Sequence, residues 1–180
     1  MEDQRQAAFG TNAGWTGAAI EAHVPKGPRI QLAAERKGPP GPTDPDAGLW
    51  QGRVVARRFV SPDGFVVLVG KAAADNDILS LKIGSQRDFW FHIASGAGSH
   101  VVVRNPEGLE RLPRDTIQFA AGLAARYSKA RDGGRTAVHL TTCREVSKPR
   151  GFAPGKVTLG RFTTVHATPL KLEASDDDEA

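Results

Sequence analysis

The side chains able to do chemistry in this chain are mostly cations, interleaved with glycines and a few aromatics. Lys129 and Arg131 close the run RYSKAR, Arg135 follows two glycines, and Lys148, Arg150 and Lys156 sit in the loop SKPRGFAPGK. Gathered on one face, such groups would neutralise successive phosphates, and each one engaged would steepen the log–log salt dependence of binding by ~0.7–0.9. The segment FWFH followed by SGAGSH adds aromatic, imidazole and hydroxyl groups around a glycine turn. On a strand, Phe89, Phe91 and Ile93 share one face and Trp90 and His92 the other. The second face would offer Trp90 for stacking on an unpaired base, worth ~1–3 kcal/mol. His92 and His100 would donate to phosphate or ribose, and the amides of Gly96, Gly98 and Ser99 would form an anion-binding nest. The alternative for Trp90 is burial beneath a helix, and for the glycines a plain hairpin loop.

Catalysis and metal binding find no support in these residues. No GxSxG, HExxH or P-loop sequence is present, and two histidines without a third ligand do not define a zinc site. Ser99 and His100 are neighbours on a strand and point to opposite faces, which argues against a nucleophile–base pair. Asp75 and Asp77 are better explained as helix caps than as acid–base groups. Cys143 is the only cysteine and excludes an intramolecular disulfide or a multi-cysteine zinc site. We therefore expect a non-enzymatic binding module with no cofactor and no metal.

The charge distribution agrees. The net charge of +4 over 180 residues divides into −1 for residues 1–49 (5 Lys+Arg, 6 Asp+Glu), +9 for 50–170 (18 and 9) and −4 for 171–180 (1 and 5). A segment with twice as many cations as anions has the footprint of a polyanion binder. No apolar run nears the roughly 18 residues of a membrane span, and the N-terminus lacks the apolar region of a secretory signal, so a cytoplasmic protein without membrane contact is expected.

The elements that must position these groups follow from periodicity. Residues 1–49 carry Gly/Pro clusters without a sustained period and are expected to form a disordered arm, and residues 169–180 a disordered acidic tail, leaving a folded domain over 50–168. RVVARRFV, the turn SPDG and FVVLVG predict a hairpin whose second strand is covered on both faces. Asp75, Asn76 and Asp77 predict the cap of a short helix over ILSLKI, ended by Gly84, although Leu79, Leu81 and Ile83 also fit a strand. DFWFHIA and SHVVVR form a second hairpin. DTIQFAAGLAARYSKAR predicts one long helix, with Asp115 and Gln118 as a capping box, Gly122 allowing close approach to a sheet, and Gly133-Gly134 as the stop. RTAVHLTTCREV, KVTLG and RFTTVHAT read as further strands. About seven strands and two helices predict an α+β domain, a mixed or mostly antiparallel sheet packed against the long helix.

Four blocks then take the reading beyond physics: SPDGFVVLVGKAAADNDILSLKIG, DFWFHIASGAGSHVVVR, AAGLAARYSKAR and SKPRGFAPGKVTLG. In this order and spacing, across Phe59 to His166, they resemble the NFACT-R domain, the RNA-binding module at the C-terminal end of NFACT proteins such as NEMF and RqcH. The resemblance implies binding of structured RNA, either tRNA or rRNA, in ribosome-associated quality control, translation or tRNA modification, with the large ribosomal subunit as a further partner. It raises Lys129, Arg131, Lys148 and Lys156 among the cations; with Trp90, His92, Ser99, His100, Arg104 and Arg150 they complete the expected RNA-binding set. The domains that precede this module in NFACT proteins are not matched here, so the chain resembles a stand-alone version, with a partner protein expected to supply the rest. The competing reading is a protein-interaction adaptor that docks on the ribosome or on an RNA-modifying enzyme.

Overall fold

The computed structural model describes residues 41–172. The arm expected over 1–49 lies outside the described residues as far as Pro40, and the acidic tail from Glu173 onward does too. Within the described residues, 41–49 carry a short 3₁₀ turn, Pro45–Ala47, capped by the Asp44 carboxylate, and lead into the first strand. At the other end, Leu170 and Leu172 pack against the core.

Among the described residues, ten strands lie in three antiparallel sheets: β1 (Leu49–Trp50) with β2 (Arg53–Val54), β8 (Val146–Ser147) with β9 (Thr158–Leu159), and a six-stranded sheet. The large sheet has the order β10-β7-β5-β6-β4-β3, made of β3 (Ala56–Val60), β4 (Val66–Gly70), β5 (Phe89–Ile93), β6 (Val101–Val103), β7 (Thr136–Thr142) and β10 (Thr163–Ala167). Both expected hairpins are present. β3 and β4 pair around the turn at Ser61–Gly64, and β5 pairs with β6 around the glycine loop. The expected strand over 53–60 is divided into β2 and β3.

Among the described residues, each face of the sheet carries one helix, and the strand alternation decides which side chains each helix covers. Val67, Val69, Phe89, Phe91, Ile93, Val101 and Val103 form one core with Ala120, Ala121, Leu123 and Ala124 of α2 (Arg114–Arg126). Leu68, Trp90 and Val102 form the other, with Leu79, Ile83 and Val55. The covering element here is α1 (Ala73–Ile78), which widens into a π-helical turn, Leu79–Ile83. Full burial of such a side chain stabilises the fold by about 1.5–3 kcal/mol relative to exposure.

Three expectations about the helices need correction. α2 spans 13 residues and is not the long helix expected; it ends at Arg126, well before Gly133. Its N-cap is Pro113, with no side-chain capping bond, so Asp115 and Gln118 do not form a capping box. Proline supplies the extended backbone that opens the helix, and Asp115 instead lies in its first turn, where its charge suits the dipole. In α1 the cap is Ala72, and Asp75, Asn76 and Asp77 lie inside the helix and make tertiary contacts. Gly122 does permit a close approach, although to the C-terminal segment: Leu170 N–H donates to Gly122 O at 3.0 Å, and a Cβ at Gly122 would stand 3.2 Å from Thr168 O.

Candidate nucleic-acid interface

The antiparallel registers bring distant cations to one end of the large sheet. Ala56 opposes Gly70, Val69 and Phe91 oppose Val101, and Ile93 opposes Val138. The start of β3, the end of β4, the β5–β6 loop and the start of β7 therefore meet. The C-terminus of α2 joins them, because Ser99 N–H donates to Tyr127 O at 2.9 Å and Lys129 N–H to Ala97 O at 3.0 Å. These segments carry Arg57, Lys71, Arg126, Lys129, Arg131 and Arg135. The carboxylates at this end are Asp132, 3.8 Å from Arg131 Nε, and Asp75 and Asp77, each paired with a cation, Arg53 and Lys148 respectively. The balance is strongly positive.

The glycine loop holds this arrangement, and of the three amides expected to form an anion nest, that of Ser99 is taken internally. The Ser99 amide is committed to Tyr127 O, and Gly98 forms a backbone bridge with Ser128. A Cβ at Gly98 would stand 2.7 Å from the Ser128 Cβ, so only glycine allows the two segments to approach so closely. The loop thereby fixes the backbone that presents Lys129.

Trp90 and His100 are placed inside the protein. Trp90 is 2% exposed beneath α1 and its π-helical turn, so it has no face open to a base. Its indole N–H donates to Ser80 Oγ at 2.8 Å. His100 is 1% exposed. Its Nε2 lies 3.2 Å from Gly155 O, which can only accept, so Nε2 carries the proton. Nδ1 then accepts from the Ser80 hydroxyl at 2.7 Å. Every polar atom of the trio is satisfied with His100 neutral. Burial, and then the neighbouring His92, push the His100 pKa down to about 4. The His92 ring, half-buried, stacks against Trp90 at 5.9 Å and donates Nδ1–H to Ile93 O at 2.7 Å; burial lowers its pKa as well.

Two expected phosphate contacts turn out to hold the fold together. Arg104 pairs with buried Asp88 at 2.7 Å, donates to Ile83 O at 2.8 Å and reaches Asp46 at 3.1 Å. It lies at the opposite end of the sheet. Lys148 directs its ammonium at Ala153 O (2.6 Å), Lys156 O (3.0 Å) and Asp77 Oδ2 (3.0 Å), which uses all three of its donors. The Asp77 carboxylate also accepts from Gly155 N at 3.2 Å, so the loop of residues 148–156 is pinned to α1 and to His100. That pinning leaves Arg150 and Lys156 exposed on the loop, and among the described residues no partner holds their side chains.

Reasoning from sequence passed over Arg57, Lys71, Arg126 and Tyr127. The guanidinium carbons of Arg57 and Arg126 lie 5.0 and 5.9 Å from the centroid of the Tyr127 ring, and Phe59 stands 6.2 Å away. A signal existed: Arg57 and Phe59 alternate on one strand face, and Arg126 precedes Tyr127 in the block AAGLAARYSKAR. Elsewhere, a groove of about 940 Å³ lies between the start of α2, β7 and β10, with Phe162, Leu140 and Ile117 in its walls and Arg111, Arg114 and Arg161 around it. Among the described residues, no group of three or more His, Cys, Asp or Glu side chains is placed to hold a metal ion, and no helix is long and apolar enough to cross a membrane.

Comparison with known proteins gives the family. The model of the NFACT protein RNA-binding domain matches residues 55–161. The Rqc2 homolog RqcH of Bacillus subtilis is 39% identical over 126 residues, which is 67% of this chain and 21% of that protein. The ribosome quality control complex subunit NEMF homolog of Drosophila melanogaster is 30% identical over 74 residues, 41% of this chain and 7% of that one. The solved C-terminal part of the fibronectin/fibrinogen-binding protein from Streptococcus suis superposes with a TM-score of 0.61 at 33% identity, covering 66% of this chain and 47% of that one. The chain spans about a fifth of the length of the bacterial relatives it matches.

Proposed function

Because the chain belongs to the family of NFACT protein RNA-binding domains, we infer that it is a non-catalytic RNA-binding module whose ligand is a structured RNA, tRNA or rRNA, in the setting of ribosome quality control. The observation that carries this reading is the convergence of Arg57, Lys71, Arg126, Lys129, Arg131 and Arg135 on one end of the sheet, with Arg150 and Lys156 on the pinned loop beside it. Recognition is through backbone and shape. Double-helical RNA hides its base edges in a deep, narrow major groove, so a surface of flexible cations reads phosphate spacing and little sequence. Burial of Trp90 and His100 supports the same view, because it leaves cations as the chief groups on this surface. Of the residues anticipated from sequence, Lys129, Arg131, Arg150 and Lys156 remain the RNA contacts, with His92 and Ser99 at the margin. Trp90, His100, Arg104 and Lys148 hold the scaffold.

Fluorescence anisotropy with a labelled tRNA transcript tests this. Affinity should fall steeply with salt, and the variant K129E/R131E/R135E should bind far more weakly, with a log–log slope shallower by roughly two units, ~0.7–0.9 for each phosphate no longer engaged. Affinity independent of salt, or a triple variant that binds like the parent, would defeat the reading. The second reading, a protein adaptor, is favoured by the groove beside Phe162, a residue that is 46% exposed. Under that reading, a ribosomal or enzyme partner is retained after nuclease treatment, and a groove variant such as F162A releases it.

A further inference from the structure

We propose that Arg57 and Arg126, mounted on Tyr127, form a built seat for a single phosphodiester group of the RNA, distinct in kind from the lysines around it. The inference rests on the RNA-binding reading and names one subsite within it. Arg57 comes from the edge strand β3 and Arg126 from the last turn of α2, 69 positions later, and the two guanidinium carbons share one aromatic ring at 5.0 and 5.9 Å. Contact with one ring restrains both guanidinium groups and holds them side by side. Tyr127 therefore serves as the mount that orients both forks.

The donors on these forks are not satisfied from within. The Nε of Arg57 and the Nε of Arg126 are both buried, and neither has a hydrogen-bond partner among the described residues, whereas each side chain as a whole is only half-buried. A covered N–H without an acceptor costs free energy, so a small tilt that turns the Nε–Nη edge toward an external acceptor is favoured as soon as one arrives. No carboxylate of the described residues is placed to serve: β3 reads ARRFV, and the acidic residue of α2, Asp115, sits in its first turn at the far end. The negative end of the α2 dipole, about half a charge, opposes an anion here, but two guanidinium charges with Lys129 close by outweigh it. The acceptor geometry that uses two parallel N–H groups is that of a phosphate or carboxylate. Phosphodiester is the choice that fits, because the seat opens within the cationic end of the sheet and a ribose-phosphate chain can engage the seat and the neighbouring cations at once.

The test is a comparison of Lys and Gln replacements in the intact chain, again with a labelled tRNA transcript. Lysine keeps the charge but cannot stack or present a fork. In R57K/R126K, affinity should fall roughly tenfold with the salt slope unchanged, and in R57Q/R126Q the slope should also drop by ~0.7–0.9, the equivalent of one phosphate. In the parent protein, the ¹⁵N-labelled Nε–Hε signals of both arginines should shift and exchange more slowly when RNA is added. If R126K compromises folding, R57K alone decides the matter, since its site lies on an edge strand. Parent-like affinity in the lysine variants, or Nε signals that ignore RNA, would overturn the seat while leaving RNA binding intact. A parent protein with no salt-dependent tRNA affinity would overturn both.

Discussion

His100 has no hydrogen-bonding capacity left for a ligand, and its burial has a consequence for stability. Its folded pKa is pushed from 6.5 to about 4, chiefly by burial and then by the charge of His92, with hydrogen bonds to Gly155 and Asn76 and the Asp77 carboxylate acting in the opposite direction. The rings of His92 and His100 are 5.4 Å apart, so a proton on either opposes a proton on the other. The sign follows from linkage. Between pH 6.5 and 4 the unfolded chain takes up a proton that the folded chain refuses, so the stabilisation is complete above 6.5 and is lost as pH falls toward 4. The magnitude is on the order of 3 kcal/mol, at 1.36 kcal/mol per unit of pKa. We predict that the thermal midpoint is flat above pH 7 and declines through this window, and that H100Q, less stable at pH 7, shows a shallower decline. Circular dichroism melts of the two proteins in parallel separate this effect from carboxylate protonation, which they share. An identical pH profile in the variant would refute it. The sequence allowed His100 to be read as an RNA contact because an imidazole beside a glycine loop carries no mark of burial; that mark is Ser80 and Gly155, 20 residues before it and 55 after.

At the scale of elements, the loop of residues 148–156 shows how one lysine can organise others. Lys148 gives its three donors to Ala153 O, Lys156 O and Asp77, and Asp77 returns to the Gly155 amide, so the loop is closed on itself and fastened to α1. Replacing Lys148 by Met keeps the aliphatic stem but leaves the largely buried Asp77 carboxylate without its cation and frees the Ala153 and Lys156 carbonyls to water. We predict that K148M leaves the sheet intact but opens the loop: amide exchange should accelerate at Gly155 and Lys156, while Val101–Val103 stay protected, with a stability loss of about 1–3 kcal/mol. Uniform acceleration, or none, would contradict the pinning. The two hairpins, the alternation of β5 and the existence of both helices were legible from period and turn chemistry. Helix boundaries were not, because Asp75 and Asp77 have the local signature of caps while their partners, Arg53 and Gly155, are supplied by tertiary contact. Likewise the stretch after Arg126 keeps its helical period, but Ser128 forms a bridge with Gly98 and the helix ends.

For the whole molecule, the charge count along the chain puts the cationic excess in residues 50–170, yet it could not say which cations meet. That depends on strand order, and β10-β7-β5-β6-β4-β3 places Arg57 and Lys71 beside Lys129 and Arg135, while sending Arg87, Arg111 and Arg161 to the opposite end. There they stand among Asp88, Glu107, Glu110 and Glu145, and Arg104 is already spent on Asp88 and Asp46. Net charge and convergence therefore make different predictions. The variants K129E/R131E/R135E and R87E/R111E/R161E change the total charge by the same amount, and at ionic strengths near 0.15 M a charge acts over about 8 Å, so only neighbours of the bound phosphates count. The first variant should lose tRNA affinity and flatten the salt slope. The second should bind within about twofold of the parent at 0.15 M salt and differ only at low salt, where the screening length grows. Equal losses would mean that the protein attracts RNA by overall charge alone, and that the end of the sheet at Tyr127 has no special role in holding it.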